Sequence, residues 1–154
     1  TSSDASEATA PLSVTIPANE VSASFTITAV DDSLLDGIQS LGITASAIGF
    51  NKGSATLLVK DYETLTLDSA SSSYMEGTGS FTATVTRSNT QNLDDAVTVQ
   101  LTSSDTSELI VPTTVTIPAG QATSNPFAIS VVDDTIMDGP IAVTISAVRT
   151  GYVS

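Results

Sequence analysis

The sequence predicts an all-β chain built as tandem antiparallel β-sandwiches, one partial and one nearly complete. Three observations predict it. Apolar residues alternate with period two and nowhere with the helical period of about 3.6. Short runs rich in β-branched residues are separated by Gly, Pro, Asn and Asp at a spacing of roughly 8–12 residues. The chain also repeats itself at a period near 100 residues. That is too long for a solenoid and is the size of a whole sandwich domain.

The repeat sets the frame. "TSSDASEATAPLSVTIPANEVSASFTITAVDDSLLDG" (1–37) aligns with "TSSDTSELIVPTTVTIPAGQATSNPFAISVVDDTIMDG" (102–139). Val14 matches Val115, a step of 101, and Asp31 matches Asp133, a step of 102, so one residue is inserted near Asn125-Pro126. Residues 1–62 are expected to be the C-terminal part of one repeat. Residues 63–154 are expected to be a second repeat lacking its last strand, because "NKGSATLLVKD" (51–61) has no counterpart after it. The chain is accordingly expected to be a piece of a longer tandem array.

Each strand follows from its own pattern. In the second repeat, strands are expected at 64–71, 79–88, 96–104, 113–118, 122–132 and 141–148. The run at 79–88 alternates Phe81, Ala83 and Val85 against threonines, and the run at 96–104 puts Val97, Val99 and Leu101 on one face. In the first repeat, strands are expected at 12–17, 22–30, 40–48 and 53–60, with Phe25, Ile27 and Ala29 sharing a face. Phe25, Phe81 and Phe127 are read as core. β-branched side chains suit such half-buried pleats.

Composition narrows the chemistry. The chain is 40% hydrophobic but only 5% aromatic, so its core is made of Val, Ile, Leu and Ala. With no Cys and no His, it offers no disulfide, no thiol nucleophile and no imidazole as base or metal ligand. The net charge of −13 disfavours nucleic acid and anionic membrane surfaces and favours cations. No apolar run approaches a membrane span, so no membrane insertion is expected. Abundant Ser and Thr with almost no Lys suit an extracellular or cell-surface protein, secreted and bacterial.

The charge is concentrated. "AVDDSLLDG" (29–37) and "VVDDTIMDG" (131–139) each hold three aspartates in nine positions. In an antiparallel sandwich the third, fifth and seventh strands end at the pole where the second, fourth and sixth begin. Glu76, Asp105, Asp133, Asp134, Asp138 and Asp61 all fall at that pole; Asp94 and Asp95 fall at the other. Converging carboxylates repel, by about 1 kcal/mol per pair at 4 Å even in water. A cation among them offsets that cost. An all-oxygen set on loops suits a hard ion with about 6–8 ligands, Ca²⁺ above Zn²⁺ or Cu²⁺. The plainer reading is that Asp-Asp and Asp-Gly are ordinary turn residues.

"PTTVTIPAGQATSNPFAISVVDDTIMDG", "IAVTISA" and "SYMEGTGSFTATVTR" resemble the Calx-beta domain of sodium–calcium exchangers, an integrin subunit and large bacterial surface proteins. The resemblance covers nearly the whole chain. It implies a seven-stranded immunoglobulin-like sandwich with calcium at one tip. The implied metal positions are Glu76, Asp105, Asp133, Asp134 and Asp138 in the second repeat. In the first they are Asp4, Asp31, Asp32, Asp36, Asp61 and Glu63. The closing acid run is only "DYE" (61–63), so one weakly held Ca²⁺ per complete repeat is expected, in the range of about 10⁻⁴–10⁻³ M seen for extracellular modules.

The function expected from these readings is a non-catalytic structural or adhesive repeat, stiffened by Ca²⁺ at the acidic pole and at the short junction between repeats. Its partners would be neighbouring repeats of the same longer chain and other copies through exposed strand edges. The alternatives are a module binding carbohydrate or protein, and a strand-exchanging subunit of an extracellular fibre. A sugar site would have only Tyr62, Tyr74, Tyr152 and the four Phe to stack on, three of which are read as core. Catalysis is not expected, because Lys52, Lys60, Arg87 and Arg149 form no constellation with a nucleophile.

Overall fold

The computed structural model describes every residue except Asp138 and Ser154. Among the described residues it is all-β, with eleven antiparallel strands and no helix. The chain divides into two compact units. The first is Thr1–Asp32 with Asp36–Asp61; the second is Tyr62–Ser154 with Ser33–Leu35.

In the first unit, β1 (Ala8–Thr9) pairs with β2 (Thr28–Ala29). β3 (Gln39–Ala45) and β4 (Gly53–Val59) form a hairpin in which Gln39 faces Val59 and Ala45 faces Gly53. Ala8, Leu41 and Ile43 are its buried core, with Ile27, Leu57 and Val59 packed against them. This is a small core for some sixty residues.

In the second unit, β5 (Leu65–Ser69), β6 (Ser80–Arg87), β10 (Phe127–Val131) and β8 (Leu109–Ile110) form one sheet, in the order β5-β6-β10-β8. β11 (Ile145–Val148), β7 (Val97–Ser103) and β9 (Thr114–Ile117) form the other, with β7 in the middle. Strict alternation makes β7 read buried, exposed, buried along Val97–Leu101. Val85 of β6 meets Val97, Val99, Leu101 and Ile117 in a single core, so the two sheets share one apolar interior. Such face-to-face packing is what a sandwich requires.

The end of the second unit away from Glu76 is closed by polar groups. Buried Arg87 donates through Nε and Nη2 to the carbonyl of Gln121, at 3.0 and 2.7 Å. Asn89, 0% exposed, donates to the Gln91 carbonyl and accepts from the Tyr152 hydroxyl at 2.9 Å. A buried amide oxygen that loses its donor costs about 1–3 kcal/mol. Tyr152→Phe keeps the ring against the core and removes only that donor. It is expected to lower the stability of the second unit by that amount in urea denaturation.

Three sequence expectations need correction. No strand forms at 12–17, and the expected strand at 22–30 shrinks to Thr28–Ala29. Phe25, expected in the core, is 44% exposed. The second unit supplies the reason. There the equivalent of 12–17 is β9, held by β7, and the equivalent of 22–30 is β10, held by β6. The described residues of the first unit contain no counterpart of β6, and of β7 only the end: Ser2 bridges Ile43 as Ser103 pairs with Ile145. A strand pattern without a neighbouring strand has nothing to hydrogen-bond or pack against. The pairs β1–β2 and β8–β10 were not expected from sequence at all.

Candidate functional site

The acidic turns are built the same way twice. In "TSSDxSE" the aspartate caps its own turn. Asp4 Oδ1 accepts from the Ser6 N–H at 3.0 Å and the Ser6 hydroxyl at 2.5 Å. Asp105 Oδ1 accepts from the Ser107 N–H at 2.9 Å and the Ser107 hydroxyl at 2.5 Å. The turn then closes with Ala8 N donating to the Asp4 carbonyl in one unit and Leu109 N to the Asp105 carbonyl in the other. Each turn is bonded to the strand that ends in Asp-Asp: Val30 N donates to Glu7 O, and Val132 N to Glu108 O, both at 2.8 Å. Gly42 N of β3 donates to Ser3 Oγ, matched by Thr144 N, just before β11, donating to Ser104 Oγ. Even the turn after the "VTIP" string agrees, with Asn19 and Gly120 at φ 70° and 74°. Asn and Gly are the residues that accept this left-handed backbone.

These turns gather the acids of the first unit. The Glu7 carboxyl is pushed above its ordinary value, first by partial loss of hydration and then by the negative charges of Asp36, Asp32, Asp4 and Asp61. Asp61 also accepts from the Gly37 N–H at 2.7 Å, which ties the end of β4 to the Asp-Gly turn. Asp31 is exposed beside Asp32. In the second unit, Glu76, Glu108 and Asp134 line one cavity of about 850 Å³. The Asp133 carboxylate lies against the same loop, 3.9 Å from where a side chain on Gly77 would start. Asp134 holds its own turn through the Ile136 N–H at 2.7 Å. Asp138 lies outside the described residues.

Asp105 stands at the start of the turn that carries Glu108, with its carboxylate bonded to Ser107. Glu63 is placed elsewhere. It is buried, takes the Ser88 hydroxyl, and accepts from Val153 N through its carbonyl. Ser88 follows the end of β6 and Glu76 precedes its start, so Glu63 stands a full strand length from Glu76. Glu7 and Glu108 were missed in the sequence reading. The signal for them was the repeat itself, because both copies of "TSSDxSE" end in glutamate.

No family model, curated protein or solved structure matches this chain.

The donor set decides what could bind. Every group at the acidic ends is oxygen, which suits a hard cation and no soft metal. Among the described residues no three carboxylates converge closely enough to ligate one ion. They are within reach of each other's charge and held on short turns. Tyr62 is exposed, whereas Tyr74 and Tyr152 are less available than the sequence implied. Tyr74 lies flat on Phe81, with ring centroids 3.6 Å apart at 6°, and its hydroxyl accepts from Ser71 N. Tyr152 is tied to Asn89.

The two pKa directions in the first unit oppose each other. Glu7 binds protons more tightly folded than unfolded, so the first unit gains stability as pH falls from neutral through its raised pKa. Asp4 is lowered by its bonds from Ser6, so its contribution is complete above 3.8 and is lost as pH falls below that value. Stability without added calcium should therefore peak on the mildly acid side. Thermal melting followed through the NMR signals of Leu41 and Ile43 checks this. Glu7→Gln should raise the neutral-pH melting point and abolish the acid-side rise.

Proposed function

We propose that this chain is a non-catalytic structural module of an extracellular repeat protein, and that its acidic turns take up Ca²⁺. One observation carries the reading: the same acidic turn, with the same hydrogen bonds, is present in both units and joined to the same Asp-Asp segment. A turn needed only to reverse the chain does not require a second and third carboxylate within its field. The raised Glu7 supports it: after partial loss of hydration, the negative charges of Asp36, Asp32, Asp4 and Asp61 disfavour its ionised form, and a cation would offset them.

Asp4, Glu7, Asp32, Asp36 and Asp61 would hold the ion in the first unit. Glu76, Glu108, Asp133 and Asp134 would hold it in the second. The bound ion would place positive charge among these carboxylates, and would draw their loops together. The duplicated turns support tandem repeats, and the two sheets around a shared core support the immunoglobulin-like sandwich that the Calx-beta resemblance implies. That resemblance also favours the cell surface and neighbouring repeats as partners. The test is a calcium titration of the full chain by calorimetry and melting, with Asp134→Asn plus Glu108→Gln as the control. Binding that the control reduces supports the reading. No heat and no shift at about 10 mM, well above the weak range of such modules, removes calcium from it.

A further inference from the structure

We propose that the Asp36–Gly37 peptide is a site of spontaneous rearrangement to isoaspartate, and that Asp61 sets its rate by holding the Gly37 N–H. Asp36 and Asp138 are the two aspartates of this chain followed by glycine. Asp36 and Gly37 are both exposed, on the segment between β2 and β3. Gly37 sits at φ 89°, and a Cβ built on it would meet nothing within 4 Å, so no side chain shields the peptide nitrogen. That nitrogen donates to Asp61 Oδ2 at 2.7 Å, within the same unit. Gly139, the counterpart of Gly37 in the repeat, is equally exposed, at φ 77° and with nothing within 4 Å of its Cβ. The second unit also contains the loop 72–76 near this turn, so the glycine is open with or without that loop.

The chemistry is intramolecular. The Gly37 nitrogen attacks the side-chain carboxyl carbon (Cγ) of Asp36. A C–N bond forms, the Cγ–OH bond of the protonated carboxyl breaks, and that OH leaves as water with the proton lost by the nitrogen. The product is a five-membered succinimide. Water then adds to one of its two carbonyls and opens the ring. Opening at the main-chain carbonyl leaves the backbone running through the side-chain carbons of residue 36, with one extra methylene and with mass and charge unchanged. Asp61 opposes the attack in two ways. The N–H must first break its bond to the carboxylate. The nitrogen then turns negative, as its proton departs, beside a negative charge already in place. A carboxylate is far too weak a base to take an amide proton, so Asp61 restrains the nitrogen and does not activate it. The rearranged turn is one methylene longer and its carboxylate is re-aimed. Where the calcium reading holds, the rearrangement would therefore also displace a ligand.

The test uses the full chain, folded, without calcium and aged in neutral buffer, so its result is independent of the calcium reading. Isoaspartate at residues 36 and 138 is counted by peptide mass spectrometry with electron-transfer fragmentation. The expected result is isoaspartate at residue 36 that forms about two- to tenfold faster in Asp61→Ala, the range for losing one ordinary hydrogen bond. Asp61→Asn keeps an acceptor oxygen without the charge and should fall between. The rate at residue 138, on a different peptide, is the reference and should not move. Asp36→Glu should give none at residue 36, because its side chain is too long to close the five-membered ring. NMR signals of Leu41 and Ile43 verify that the first unit of each variant is folded. In urea, where Asp61 no longer holds the turn, the parent chain and both Asp61 variants should age at one rate. Equal rates in the folded chains, or a slower rate in Asp61→Ala, would overturn the role of Asp61. Unequal rates in urea would overturn it too, and no isoaspartate at residue 36 in any folded chain would overturn the site.

Discussion

Ile117→Ala is expected to destabilise the second unit by about 2–5 kcal/mol, the range for emptying a large aliphatic site in a close-packed core. The same change at Ile16, its partner in the repeat, is expected to cost under about 0.5 kcal/mol. The local sequences are nearly the same, "TVTIPAG" against "SVTIPAN". The surroundings are not. Ile117 is 0% exposed, on the strand paired with β7, and touches Val85, Val97, Val99 and Leu101. Among the described residues no strand pairs with Ile16, which is 54% exposed. Truncating Ile117 loses transfer free energy and leaves a void; truncating Ile16 removes surface already in water. Urea denaturation of each variant, followed by NMR signals of Val99 for one unit and Leu41 for the other, checks the contrast. Similar costs at both sites would mean that segment 12–17 is packed in solution.

Calcium at about 100 times its dissociation constant adds about 2.7 kcal/mol to the stability of whatever unit binds it. For a unit of this size that raises the melting temperature by about 10–20 °C. The largest effect is expected at neutral pH, above the raised pKa of Glu7, where its carboxylate carries the charge that a cation would offset. Acidification below the ordinary carboxylate range should abolish the shift, because protonated carboxyls are poor ligands for a hard cation. Asp134→Asn with Glu108→Gln should remove most of the shift in the second unit while leaving the first unaffected, since the units carry separate acid sets. Magnesium should do less, because it gives up its water reluctantly and takes fewer protein ligands. A shift equal for both ions, or equal in the variant, would point to general charge screening in place of a site.

The acids were legible in the sequence in unequal measure. The Asp-Asp…Asp-Gly strings and the pole that strand parity assigns to Glu76, Asp105, Asp133 and Asp134 needed only alternation and repeat counting. The structure gathers Glu76 and Asp134 around one cavity and sets Asp133 against the loop after Glu76. Glu7 and Glu108 escaped because a glutamate at the end of a serine-rich turn looks solvated. The β1–β2 and β8–β10 pairs, with the hydrogen bonds from Val30 and Val132, bring those turns against the Asp-Asp segments. Glu63 went the other way. Its sequence position beside Asp61 suggested a shared acid run, but Glu63 belongs to the second unit and is buried against Ser88.

What the sequence determined by itself was the local choice at each position. Branched residues alternating with threonine favour extended, pleated backbone, and Asp, Asn, Gly and Pro between them favour turns. The duplicated "TSSDxSE" turn forms in both units because its bonds are made within a few residues. Tertiary structure decided which strand-like runs became strands. The "VTIP" run is a strand at Thr114–Ile117 and none at 12–17, because a ladder needs a second edge, and the free energy that holds it lies in the side chains of β7. A pattern encodes readiness to pair; the partner supplies the burial that makes pairing stable.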